Sequence, residues 1–125
     1  MKWMTFLFLS IFLVACSDAK DPSLEAAETA LSNLKEGRKL LSAITTISEA
    51  KASEARIAEI GQSYKAAIEI IGQNKDPDIT QELMKMTPHL ASEYQGLILD
   101  LNALQSRNVE AGNIILDEIR AFKTK

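Results

Sequence analysis

A chain of 125 residues with 17 acidic side chains, 14 basic ones and a single histidine carries a formal charge of −3. So mild an acidity offers no electrostatic footprint for nucleic acid and no basic surface for anionic lipid. One cysteine excludes an intramolecular disulfide, and a 6% aromatic content amid Ala, Leu, Ile, Glu, Lys and Ser favours helices over sheets.

Met1-Lys2 makes a short basic start, and Trp3 to Val14 follows as an apolar run broken only by Thr5 and Ser10. A run of about 12 residues is too short for a permanent membrane span, which needs about 20. With its basic start and small-residue exit it has the form of a secretory signal peptide. Leu13-Val14-Ala15-Cys16 closes the run. This quartet resembles the lipobox of bacterial lipoproteins. The resemblance implies diacylglyceryl attachment to the Cys16 thiol, cleavage before Cys16, and usually acylation of the new amino terminus. Ser17 after the cysteine, where Asp resembles an inner-membrane retention signal, looks like export to the outer membrane, facing the periplasm. In a Gram-positive host the anchor would sit in the plasma membrane. The expected organisation is a lipoprotein signal peptide over 1–15, a lipidated tether over 16–21 and a helical domain over 22–125.

Cleavage removes Lys2 and moves the formal charge from −3 to −4. It also removes the only Trp and three of the four Phe, leaving Tyr64, Tyr94 and Phe122 as the aromatics of the mature domain. The five residues from Ser17 to Asp21 reach at most about 18 Å when fully extended. A domain on so short a tether works close to its membrane, and its membrane contact is expected through acyl chains, not through the protein surface.

Asp21-Pro22 reads as a helix start, with Asp as N-cap and Pro where its missing N–H costs nothing. Leu24, Ala27, Leu31, Leu34, Leu41 and Ile44 then recur at helical steps. The β-branched run Thr45-Thr46-Ile47 is a weak point, and Thr46 with Glu49 has capping-box spacing, which predicts a second start. Ile57, Ile60, Tyr64, Ala67 or Ile68, and Ile71 share the next face, which ends in the loop 72–77. Asp76-Pro77 repeats the first start signal. Ile79, Leu83, Met86, Leu90, Tyr94, Leu97, Leu101 and Leu104 form one register, and Pro88 predicts a kink or a restart capped by Thr87. Residues 105–108 read as a turn before a last amphipathic stretch with Val109, Ile115, Ile119 and Phe122. The apolar bands are wider than a two-stranded seam requires. They favour an all-α, up-down bundle of four helices, over a three-helix version with Leu90 to Phe122 continuous and over a bent two-helix hairpin.

Candidate chemistry is sparse. His89 follows Pro88 with no nucleophile motif to serve, which favours an exposed or helix-start residue over a catalytic base. His89 and Glu93 share a helix face, but the helical di-metal pattern needs Glu three residues before His, where Met86 stands. The layout is similar to the periplasmic four-helix b-type cytochromes, whose axial ligands are a Met on the first helix and a His near the C-terminus. Here Met84, Met86 and His89 all lie in the third segment, so both ligands are out of place. No Gly-rich phosphate loop, Cys-x-x-Cys pair or nucleophile elbow occurs. Catalytic, cofactor-binding and metal residues are therefore not assigned, and Cys16 alone is expected to carry a defined role. The leading expectation is a non-enzymatic, membrane-anchored module that binds an envelope protein; the alternative is a bundle that binds haem, a metal or a lipid.

Overall fold

A computed structural model describes residues 21–120 and 122. The helices are α1 (Pro22–Ala43), α2 (Ile47–Gly72), α3 (Pro77–Arg107) and α4 (Val109–Arg120). Cys16 and the expected signal peptide over 1–15 lie outside the described residues.

All four described starts follow from local side-chain chemistry. The Asp21 carboxylate accepts the backbone N–H of Ser23 at 2.8 Å, and Asp76 accepts that of Asp78 at 2.9 Å, each with Pro in the first turn. Thr46 and Glu49 close a full capping box at the head of α2. Glu49 also accepts from the Thr45 backbone and hydroxyl, so the break between α1 and α2 is held by side chains on both sides. Asn108 makes the fourth start: its side-chain oxygen accepts the Ala111 N–H at 3.1 Å.

The chain runs up, down, up, down. Asn33 meets Ser63 and Glu36 meets Arg56, so α2 returns antiparallel along α1. Arg38 meets Glu93 and Asp100, and Arg107 reaches the carbonyls of Leu41 and Ile44, so α3 rises parallel to α1. α1 and α4 each pack against both α2 and α3, which makes α1 and α4 diagonal partners. The start of α1, the end of α2 and the start of α3 thus share one end of the bundle.

The expected four-helix bundle is present, with several local differences from the pattern. Pro88 does not restart α3; the helix is continuous from Pro77 to Arg107. Pro88 lies on the exposed side, and the carbonyl it leaves without a donor belongs to Met84, a residue that is 66% exposed. Thr87 does not cap; its hydroxyl donates to the Leu83 carbonyl at 3.2 Å. The expected turn over 105–108 shrinks to Asn108 alone. On α1 the buried stripe is Ser23, Ala26, Ala27, Ala30, Leu34, Gly37 and Leu41, with Leu24 and Leu31 only half-buried. Small residues on that stripe bring α2 and α3 close to α1. Val109, expected on the apolar face of α4, is 63% exposed.

Length decides where the core sits. α3 has 31 residues and α4 only 12, about 46 Å against about 18 Å at 1.5 Å per residue. The fourth corner of the bundle is therefore filled over only part of its height. Phe122, one turn past α4, is fully buried there. Its ring lies 5.4 Å from that of Tyr64, which stacks on Tyr94 at 6.4 Å. These three aromatics of the described residues form a single layer across the core, with Ala26, Ala30 and Ala67 buried beyond it. Above them Ile57, Leu101, Leu104 and Ile115 are buried; below them α3 from Pro77 to Tyr94 buries no residue completely.

Candidate functional site

Three features outside the closed core bring polar or apolar chemistry to the surface. The first is the α1–α3 seam. Gly96 leaves the space in which the Arg38 side chain lies, since a Cβ there would come within 2.3 Å of the guanidinium carbon. From that berth Arg38 donates to Asp100 and to Glu93, each at 2.9 Å. The two carboxylates stand three residues before and four after Gly96, one turn to either side. Bonding to Asp100, then to Glu93, raises the Arg38 pKa above its ordinary value. Lys35, Lys39 and Ser42 complete a shallow polar groove around this clamp. Its chemistry is that of an interhelical tie, because the central cation is matched by two carboxylates.

Histidine is placed as the sequence implies. His89 is exposed on α3. Glu93, which shares its face, points to Arg38 and not to the imidazole. Among the described residues, no group of three His, Cys, Asp or Glu side chains gathers to hold a metal ion. Met84 projects into solvent and Met86 is half-buried beside it, so the three candidate haem-type ligands lie on one stretch of one helix.

The second feature is a carboxylate pair between α2 and α4. Burial, reinforced by Glu54, pushes the Glu118 pKa above the usual carboxylate range. Nothing in the sequence pattern marks this pair, because its members are 64 positions apart and only the parallel packing of α2 on α4 joins them.

The third is the part of the bundle that α4 does not reach. Beside and past Phe122, Ile68 and Ile71 on α2 and Leu83, Leu90 and Tyr94 on α3 are partly buried, and all but Leu83 pack against the core. These positions continue the same three- and four-residue registers that are buried higher up, at Ile57 and Ile60 on α2 and at Leu97, Leu101 and Leu104 on α3. The sequence shows the register; only the tertiary structure shows that burial along it is incomplete.

No protein-family model, curated protein or solved structure matches the chain. No described helix is long and apolar enough to cross a membrane.

Proposed function

We propose that this chain is a bacterial lipoprotein, lipid-anchored through Cys16, whose helical domain serves as a non-enzymatic accessory module for a protein of the cell envelope. The observation that carries the proposal is the quartet Leu13-Val14-Ala15-Cys16 after an apolar run, five residues ahead of the Asp21 N-cap. A lipobox so close to the first helix leaves a tether of minimal length and a folded domain directly behind it. Two or three acyl chains make a stable anchor where one is marginal. Ser17 favours the outer membrane, with the domain in the periplasm.

A binding role is favoured over catalysis by how the polar groups are used. The sole histidine stands in solvent, its nearest acid on the same face is tied to Arg38, and the interhelical arginines Arg38 and Arg56 are paired with carboxylates. A mild acidic surface gives no general attraction to nucleic acid.

The anchor is tested by expressing the full chain in bacteria supplied with an alkyne-tagged fatty acid. The wild type is expected to incorporate the tag and to float with membranes; Cys16→Ser is expected to lose both. Unchanged anchorage of Cys16→Ser would refute the lipoprotein assignment. The partner is tested by purification from mild detergent, in which one stoichiometric envelope protein should accompany the chain. Repeated recovery of the chain alone would count against an accessory role.

A further inference from the structure

We infer that Met86 and His89 form a surface site for a soft monovalent metal ion of the copper(I) class, with one thioether and one imidazole on a single turn of α3. The inference goes beyond the accessory role and does not depend on how the chain is anchored.

Placement is the first argument. Met84 and Met86 carry the only thioethers and His89 the only imidazole among the described residues, and all three fall within six positions of α3. Packing does not account for them there. His89 is exposed, Met84 is 66% exposed, and Met86, half-buried, is not among the side chains that pack against the core. The helix is unbroken through Pro88, so Met86 and His89, three positions apart, stand on one face with Cβ atoms about 5–6 Å from each other. Two side chains with donors at their ends close on one ion from that separation. Met84, two positions from Met86, lies about 160° away around the helix and off that face.

Chemistry decides the class of ion. The carboxylates one turn to either side are engaged elsewhere: Glu82 with Lys85 and Glu93 with Arg38, each at 2.9 Å. The first of these pairs also neutralises the cation one turn before His89. What is left for an ion is a soft sulfur and a ring nitrogen. Zinc in a structural site takes four ligands, and calcium and magnesium take shells of oxygen, none of which this pair supplies. Thioether sulfur selects copper(I), and a closed-shell monovalent ion is satisfied by two donors in line.

Silver(I), the air-stable stand-in for copper(I), is the probe. The full chain, isotope-labelled at its methionine methyl groups and purified in mild detergent, is titrated with silver nitrate in chloride-free buffer, with Met84→Leu and Met86→Leu assigning the two methyl signals. The Met86 methyl and the His89 ring signals are expected to shift together and to stop at one equivalent, while the Met84 methyl stays in place. Met86→Leu and His89→Gln are each expected to weaken binding about tenfold or more, since each removes a second donor held at short range. Met84→Leu is expected to leave the affinity unchanged, and excess zinc is expected not to displace silver. Met86→Leu nearly conserves volume and His89 is exposed, so both variants fold, and unshifted Tyr64 and Phe122 ring signals verify it. Movement of both methyl signals alike, a loss in Met84→Leu as large as in Met86→Leu, or undiminished binding in His89→Gln would each overturn the two-donor site. Displacement of silver by zinc would overturn the assigned class of ion.

Discussion

The Phe122 ring sits 5.4 Å from the Tyr64 ring, with the planes tilted by 34°, and a Cβ added at Gly37 on the diagonal helix would come within 3.7 Å of it. A single side chain past the end of α4 is therefore buried at the junction of α1, α2 and α3. Phe122→Ala opens a cavity at that junction and is expected to cost about 3–5 kcal/mol, a large share of the stability of a small domain. Urea denaturation measures it, and Phe122→Leu is expected to recover most of the loss.

Two buried glycines respond in opposite ways to the same added methyl group. At Gly112 a Cβ would meet the Gln105 backbone Cα at 2.9 Å, so the α3–α4 corner itself must open. Gly112→Ala is expected to destabilise by about 1–3 kcal/mol. At Gly96 the obstacle is the end of the flexible Arg38 side chain, which swings out and gives up Glu93 and Asp100. The gain in helix propensity offsets that loss, and Gly96→Ala is expected to leave the melting temperature nearly unchanged.

Arg107 caps a helix other than its own. Its guanidinium donates to the carbonyls of Leu41 and Ile44 at 3.1 and 3.0 Å, at the end of α1, which has no basic residue in its last turn. Arg107→Met removes both bonds and the charge opposite the helix dipole, for about 1 kcal/mol. Amide hydrogen exchange is expected to quicken in the last turn of α1 and around Ile44, with α2 near Tyr64 unaffected.

Glu118 makes stability fall as pH rises. Its folded pKa lies above the ordinary value, through burial and then Glu54, so the folded state binds the proton more tightly than the unfolded chain. The cost of ionising it is present in full above the folded pKa and disappears as pH drops below the unfolded carboxylate value. Glu118→Gln is expected to be more stable than wild type at neutral pH, with the difference vanishing in mild acid. Glu49 works the other way: hydrogen bonds from the Thr45 backbone and hydroxyl lower its pKa, and its contribution is lost on acidification. Paired denaturation curves of wild type and Glu118→Gln across pH separate the two.

Helix starts were legible because their causes are local. Asp21-Pro22, Thr46 with Glu49, and Asp76-Pro77 each satisfy first-turn N–H groups with an atom two or three residues away. Pro88 left a restart open that the structure does not show: the rule for an interior proline concerns the carbonyl four residues back, and its cost depends on the surroundings of Met84, which is a tertiary matter. Val109 fits the periodic pattern of α4 yet faces solvent, because it follows directly on the Asn108 corner.

From its sequence alone the chain declares an all-α domain and its helix starts; the proposed lipidation of Cys16 rests on sequence alone, because Cys16 lies outside the described residues. Pairings across long separations belong to the tertiary structure: Arg38 between Glu93 and Asp100, Arg107 on the end of α1, Glu54 beside Glu118. So does the asymmetry of the core. The apolar register of α3 runs unbroken from Ile79 to Leu104, and periodicity weights all of it alike. Burial needs a facing surface, and α4 with Phe122 supplies one only to the part beyond Tyr94.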